Sequence, residues 1–305
     1  MKIACENIDR LVNVGIRAPG MPRGAMVEVY DAAKDENAIS YDIAQSLLGN
    51  LGARIAIFTG ATVPDHLPNG ENDGPMGAIV LARALERLGA DVTIFTEAEV
   101  LAPQRAFAEL LGSDVAIVEL VRDGGQHAEI AQTYDVGITV EKAGGNKEGL
   151  LHSINANPRS HTRANIDQLI RSMNEAGKVT VGIGDGGNEI GFGKTYELAA
   201  RILPFGDTIV TTVATTFLYP VAISNWGAYA LAAALAIGAN RPDLALDPAE
   251  EKAMLEKAIE LDCRDGGTGK AVFAVDGVSG ESSMAYVQML RELVTATLTP
   301  FERDF

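Results

Sequence analysis

Short apolar runs alternate with stretches of helical periodicity along most of the chain. The apolar runs are rich in β-branched residues and end near glycine or polar turns, which is typical of buried strands. They lie at residues 54–60, 91–97, 114–121, 135–142 and 178–184. Helices are predicted at residues 74–90, 105–112, 247–261 and 281–297. This alternation predicts an α/β fold, with a largely parallel sheet flanked by helices in a single large domain over residues 1–305.

The longest stretch without a charged residue covers residues 208–240. Its first part, the β-branched segment DTIVTTVA (207–214), predicts a strand. Its second part, SNWGAYALAAALAIG, predicts a helix that Ser224 caps and that ends near Gly238. Polar residues and Pro220 interrupt the run, and each half is shorter than the roughly 20 residues that cross a bilayer. We therefore expect a buried strand and a buried helix, with no membrane insertion.

Composition identifies a strongly acidic protein with a sizeable core. Of the 305 residues 47% are apolar, and the formal net charge is −16. Such a body repels nucleic acid and anionic lipid, so we expect neither as a partner. Cys5 and Cys263 form no CxxC pair, and the first residues do not resemble a signal peptide, which favours the cytoplasm. We also expect a homo-oligomer.

Acidic side chains follow three of the predicted strands at the point where each strand ends. In parallel sheets, ligands bind beyond the carboxyl ends of the strands. Carboxylate oxygens are ligands that Mg²⁺, Mn²⁺ and Ca²⁺ prefer. The sequence thus predicts a divalent-metal site formed by at least two of these acids, although the acids in the glycine-rich loop could instead form turn hydrogen bonds or face water. The candidates are Glu71, Asp73, Glu141, Asp185 and Glu189.

The loop GIGDGGNEIGFGKT (182–195) approximates two phosphate-binding motifs and fits neither. Three of its glycines satisfy the dinucleotide pattern GxGxxG directly after a strand. However, Asp185 and Glu189 place two carboxylates where a pyrophosphate needs bare N–H groups. The GK pair at 193–194 lacks the first P-loop glycine at the required spacing, and GGTGK at 266–270 is followed by alanine. We therefore expect no nucleotide at this loop.

Five segments, taken in order along the chain, resemble the D-glutamate cyclase family. They are GENDGPMGA, VEKAG, GIGDGGNEIGFGK, SNWGAYAL and GKAVFAVDG. The resemblance covers nearly the whole chain. It implies one α/β domain with a divalent-metal site that closes D-glutamate to 5-oxo-D-proline with loss of water. The segment GLLHSINAN departs from the aromatic and amide residues that the family leads us to expect, so the substrate stays open.

The resemblance also implies roles for individual residues. A bound cation would polarise a carboxylate, and a carboxylate that does not bind the metal, such as Glu189 or Glu141, would move the protons. Ser224 and Asn225 would donate to a developing oxyanion from a helix N-terminus. We expect catalytic roles for Glu141, Asn188, Glu189, Ser224 and Asn225. We expect substrate contacts from Lys142, Arg159 and Arg163, although the two arginines could instead lie at a solvated helix start.

Two other functions use the same residues. A metal-dependent hydrolase that opens a lactam or cleaves a phosphate ester would need the same acids. A non-catalytic protein that binds a metal or a small ligand would need them as well. The four histidines have no metal-ligand spacing, and His152 is the one we most expect near the site. The expected partner in the preferred function is a small amino-acid substrate.

Overall fold

The computed structural model describes residues 1–17, 25–300 and 303. Within these residues the helices are α1 (Lys2–Val12), α2 (Ala25–Ala33), α3 (Ile39–Leu48), α4 (Pro75–Arg87), α5 (Leu101–Leu111), α6 (His127–Thr133), α7 (Asp167–Glu175), α8 (Tyr196–Ile202), α9 (Gly206–Ile209), α10 (Ser224–Ala239), α11 (Pro248–Glu260) and α12 (Gly280–Leu298). The strands are β1 (Arg54–Phe58), β2 (Asp91–Thr96), β3 (Ala116–Glu119), β4 (Val136–Val140), β5 (Val179–Gly184), β6 (Phe217–Pro220), β7 (Ala274–Val275) and β8 (Val278–Ser279).

The first six strands form a parallel sheet in the order β3-β2-β1-β4-β5-β6, which confirms the predicted α/β fold. Ile57 of β1 lies opposite Ile94 of β2 on one side and Ile138 of β4 on the other. From β1 the chain first adds β2 and β3 on one side, and it then returns to add β4, β5 and β6 on the other side of β1. Loops that leave the carboxyl ends of β1 and β4 diverge at this point, and doubly wound sheets bind their ligands in the resulting crevice.

Helices cover both faces of this sheet. Ile55 and Ile57 of β1 belong to the large core cluster under helices α1, α3, α4 and α10 to α12. Ala56 and Phe58 face the opposite side, in a second cluster that includes Ile170 of α7. Because both faces are covered, the central strands β1, β4 and β5 are buried at successive positions rather than at alternate ones, whereas the edge strand β3 is largely exposed.

Helix α10 is buried along nearly its whole length and packs against α4, α3 and α12. A helix that is apolar on all sides belongs in a protein core. Among the described residues, no helix combines the length and the apolar character needed to cross a membrane. The predicted cap was wrong: Ile223 is the N-cap and Ser224 the first helical residue. The acceptor for the N–H groups at this helix start comes from a distant loop, as described below.

The predicted strand at 207–214 was also wrong, because its first residues form helix α9 and strand β6 begins only at Phe217. The β-branched residues after α9 pair with loops instead of joining the sheet. The Thr211 N–H donates to the Gly187 carbonyl at 3.2 Å, and the Thr212 N–H donates to the Gly145 carbonyl at 2.9 Å. This segment thus holds the glycine-rich loop and the turn after β4 through backbone hydrogen bonds.

Candidate functional site

The acidic loops meet at the carboxyl edge of the sheet, as the sequence predicts. Carboxylate oxygens of Glu141, Asp185 and Glu189 lie within 4.8 Å of one another, and we call these three residues the inner group. Carboxylate oxygens of Asp73, Asp185 and Asp276 lie within the same distance, and we call them the outer group. Asp185, which directly follows β5, belongs to both. Either group could hold a metal ion, and the role of each acid as a ligand stays a prediction.

A cavity of about 420 Å³ opens beside the two groups. Glu71, Glu141, Asp185 and Asp276 contribute its acidic lining, and Arg159 and Arg163 contribute its basic lining. Residues of the segment GLLHSINAN, such as Ser153 and Asn155, complete its wall. The segment that departs from the family pattern therefore shapes the cavity.

Burial and mutual repulsion raise the pKa values of five carboxyls at the site. Burial is the main cause for Glu71 and Glu189, whose pKa values rise to about 7. Burial and the neighbouring acids also raise the pKa values of Asp73 and Glu141 well above their usual range. Burial raises the pKa of Asp185 as well, against the opposing effect of Arg17. A cluster of carboxyls with raised pKa values favours a bound cation, which would stabilise their charged forms.

The glycine-rich loop uses its own carboxylate as an anion. Glu189 accepts hydrogen bonds from the N–H groups of Gly186 at 2.9 Å and Gly187 at 2.8 Å. These N–H groups are therefore not available to a phosphate. The Asn188 amide donates to the His152 carbonyl at 2.9 Å, while its buried oxygen has no partner in the described part of the chain and lies at the cavity.

Glu141 is held in a left-handed backbone conformation directly after β4, with φ of 52°. Such a conformation costs a non-glycine residue on the order of 1–3 kcal/mol and recurs at functional sites. It turns the side chain to accept a hydrogen bond from the Ser224 hydroxyl at 2.6 Å. Gly74 makes room for it, because a β-carbon there would lie 2.8 Å from the β-carbon of Glu141.

The structure argues against the predicted oxyanion donors. Ser224 already donates its hydroxyl to Glu141, and its N–H donates to Asp73 at 3.2 Å. The Asn225 amide is fully buried, where its oxygen accepts from Gly74 and Gly77 and its nitrogen donates to the Asn72 carbonyl. Both side chains hold the site together rather than face the cavity.

Lys142 also lies elsewhere than predicted, since it is not among the residues that line the cavity. Its ammonium forms a fully buried ion pair with Glu97, and burial lowers its pKa. Glu97 accepts a second hydrogen bond from the Ala164 N–H at 3.1 Å. The pair therefore ties the turn after β4 to the loop that carries Arg163.

The two predicted arginines do line the cavity. Arg163 is buried, so a solvated helix start does not describe it. The Nε atoms of Arg159 and Arg163 have no partner among the described residues. The positive charge of Arg163 also opposes the rise in the pKa of Glu71. Both guanidinium groups are thus placed to receive an anion in the cavity.

Sequence reasoning missed two site residues, Arg17 and Asp276. The buried Arg17 guanidinium forms ion pairs with both Asp185 and Asp276. Arg17 belongs to none of the recognised motifs. Asp276 lies within the segment GKAVFAVDG, where the Asp-Gly pair marks a turn and Asp276 has φ of 45°. That turn signal could have pointed to a loop, though not to its place beside Asp185.

Comparisons with known proteins identify the family to which the chain belongs. Residues 25–293 match the model of a family described as D-glutamate cyclase-like, C-terminal. The human protein named "D-glutamate cyclase, mitochondrial" is 29% identical in an alignment of 274 residues. The match covers 76% of this chain and 44% of that protein. The chain therefore spans less than half the length of this relative. The match to the family model extends over most of the chain, and the chain belongs to the D-glutamate cyclase-like, C-terminal family.

Proposed function

We propose that the protein is a hydro-lyase that cyclises a glutamate-like amino acid to a 5-oxoproline-type lactam with the assistance of a divalent metal. The observation that carries this proposal is one cavity lined both by acids and by two arginines, of which Arg163 is buried. A glutamate-like molecule offers an ammonium group and two carboxylates, which complement those two kinds of side chain. Membership of the family and the name of the human relative support the same reaction.

The reaction moves two protons and exchanges one bond for another. The amine nitrogen attacks the distal carboxyl carbon, a C–N bond forms and a C–O bond breaks. The ammonium nitrogen loses two protons, which leave with the departing oxygen as water. The substrate and the products have the same net charge, so the atoms and charges of the reaction balance without a nucleotide. Because the amine is tethered, effective molarities of about 10⁵–10⁸ M favour closure once the chain is folded back.

Arg163 and Arg159 would bind the carboxylate that does not react. A guanidinium group holds a carboxylate through two parallel hydrogen bonds, and both Nε atoms lack a partner among residues 1–17, 25–300 and 303. Binding one end of the substrate in this way would direct its ammonium group towards Glu71 and Glu141 in the same cavity.

The residues at the sheet edge fit a hard divalent cation such as Mn²⁺, Mg²⁺ or Ca²⁺. The inner group brings three carboxylates together. The buried side-chain oxygen of Asn188 has no hydrogen-bond partner among the described residues. Glu141, Asp185 and Glu189 would hold the ion. When bound, a divalent ion supplies Lewis-acid polarisation of a carboxylate.

Glu71 is the carboxyl best placed to move protons, because it lines the cavity and belongs to neither group of acids that could hold the ion. Burial raises the pKa of Glu71 to about 7, which suits a group that accepts and returns a proton near neutral pH. The Ser224 hydroxyl would keep the Glu141 carboxylate oriented towards the ion.

The hydrolase alternative receives less support in its phosphate-ester form. The N–H groups that would cradle a phosphate in the glycine-rich loop are bound to Glu189. Lactam opening uses the same groups in the reverse direction, so only turnover distinguishes it. A homo-oligomer and a cytoplasmic location stay predictions from the sequence.

The test is to incubate the purified full chain with D-glutamate or L-glutamate and Mn²⁺, and to measure 5-oxoproline by chromatography. Glu141→Gln and Asp185→Asn should each lower the rate by about 10²-fold or more. Glu281→Gln, which changes an exposed acid at the start of α12, is the matched control and should retain the wild-type rate.

Three outcomes would contradict the proposal. If neither enantiomer cyclises while 5-oxoproline or a phosphate ester is hydrolysed, the protein is a hydrolase. If an amino acid binds without turnover, it is a binding protein. If cyclisation proceeds unchanged in Asp185→Asn, the inner group is not the catalytic centre.

A further inference from the structure

Arg17 places a positive charge inside the outer group of acids. Its guanidinium forms ion pairs with Asp185 and Asp276, and only 6% of the residue is exposed. The negative charge of Asp73, the third member, also favours the charged form of Arg17. An arginine in this position is charged at every physiological pH, so the outer group carries a permanent counter-cation.

Glu141 and Glu189, the two other members of the inner group, accept hydrogen bonds from neutral donors. Glu141 accepts from the Ser224 hydroxyl, and Glu189 accepts from the N–H groups of Gly186 and Gly187. All of these donors are neutral. Burial and the neighbouring acids raise the pKa values of both glutamates. Within the part of the chain that the structure describes, Asp185 is the member of the inner group that forms an ion pair, and its partner is Arg17.

We infer that Arg17 fills the second of two adjacent cation positions, and that it limits the site to one divalent metal. The inner group is the position of the metal in the proposed function, on which this inference rests. The outer group has the composition of a second metal position, with Asp185 as a carboxylate common to both. The Arg17 guanidinium occupies it.

The outer group has few oxygen lone pairs left for a metal while Arg17 is present. Asp73 accepts hydrogen bonds from the N–H groups of Gly74, Ser224 and Asn225. The remaining acids, Asp185 and Asp276, are those that pair with Arg17. Two-metal sites place their ions about 3.5–4 Å apart and commonly stabilise both reacting oxygens of a displacement. A fixed guanidinium beside a single ion would instead supply charge without exchangeable coordination positions.

Removing the guanidinium should therefore create a second metal site. The experiment counts Mn²⁺ bound per chain by equilibrium dialysis, without substrate, in the wild type and in Arg17→Met, which keeps an unbranched side chain but loses the charge. Arg17→Met should bind one more Mn²⁺ than the wild type, and electron paramagnetic resonance should show coupling between the two ions. Arg17→Lys, which keeps the charge, should bind no additional ion.

The double variant Arg17→Met/Asp276→Asn removes an acid of the outer group and should lose the additional ion. The inference is overturned if Arg17→Met binds no more Mn²⁺ than the wild type, or if the additional ion remains in the double variant. A wild type that binds no Mn²⁺ contradicts the proposed function, whereas the difference between the variants still tests Arg17. If Arg17→Met does not fold, Arg17→Gln makes the same comparison.

Discussion

Asp73, just before α4, and Asn225, in the first turn of α10, each accept hydrogen bonds from N–H groups at the start of the opposite helix. The Asp73 carboxylate accepts from the Asn225 N–H at 2.7 Å, at the start of α10. The Asn225 amide oxygen accepts from the N–H groups of Gly74 at 2.9 Å and Gly77 at 2.6 Å, at the start of α4. Both side chains are buried. This exchange fixes two helix starts beside each other and places the loop that carries Glu71.

Loss of this exchange should destabilise the protein more than loss of an ordinary cap. Asn225→Ala leaves buried N–H groups without an acceptor, so we expect a loss of about 2–4 kcal/mol in the free energy of unfolding, measured in urea. Asp247→Ala is the matched control, because Asp247 caps α11 locally at a partly exposed position. It should cost about 1 kcal/mol. Equal losses in the two variants would show that the exchange adds nothing.

The buried pair of Lys142 and Glu97 should show strong coupling in a double-mutant cycle. Lys142→Met leaves the fully buried Glu97 carboxylate unpaired, and such losses cost about 3–5 kcal/mol. Glu97→Gln/Lys142→Met removes both charges and should recover much of that loss. The free energies of unfolding of the two single variants and the double variant measure the coupling. Additive losses would contradict the pairing.

Arg163 should contribute more to substrate binding than Arg159, because it is the more buried of the two cavity arginines. Arg163→Met should raise KM by about 10-fold or more and change kcat less, as expected for a group that binds substrate and transition state alike. Arg163→Lys should recover only part of the loss, since it cannot form two parallel hydrogen bonds. Steady-state kinetics with the cyclising enantiomer measure both constants. A fall in kcat alone would assign Arg163 to the chemical step.

Glu251 should make the protein less stable as pH rises through neutrality. It is fully buried and accepts hydrogen bonds from Tyr229 and Ser283, and burial raises its pKa to about 7. A raised pKa of an acid contributes stability that is present below pH 4.5 and is lost as pH rises through about 7, a total of roughly 3 kcal/mol.

Urea unfolding of metal-free protein from pH 5 to pH 8 measures this effect. The raised pKa values of Asp73, Glu141, Asp185 and Glu189 add a loss of the same sign, so the comparison is between wild type and Glu251→Gln. The variant should show a shallower fall in the free energy of unfolding. Parallel curves would mean that Glu251 does not titrate in this range.

The sequence predicts those features that depend on local pattern. Five of the six strands in the large sheet follow from short apolar runs. For β1, β2, β4 and β5 the reason is burial on both faces, which leaves little room for polar residues, whereas β3 is an exposed edge strand. The carboxylates after β1, β4 and β5 meet because parallel strands share a carboxyl edge. The cap of α11 is also a local feature, because the partners of Asp247 follow it directly in the chain.

Features that depend on distant contacts could not be predicted. Residue type in a motif does not reveal side-chain direction, so Lys142 and Asn225 were expected in the cavity and are instead buried behind it. Arg17 and Asp276 are 259 positions apart, and no local pattern links them. The segment 207–214 has the β-branched composition of a strand, but its hydrogen-bond partners are loops.

The contact between Glu189 and its own loop also has a consequence for inhibition. A glycine-rich turn with free N–H groups would attract inorganic phosphate, which is abundant in cells, and phosphate there would compete for any metal nearby. Glu189 is an anion attached two and three residues from the N–H groups that it occupies. Tethering gives such a group an effective concentration that can reach the millimolar range or above. The loop therefore behaves as an anion-binding site with a built-in competitor. This competitor would keep phosphate from competing with the neighbouring carboxylates for a metal.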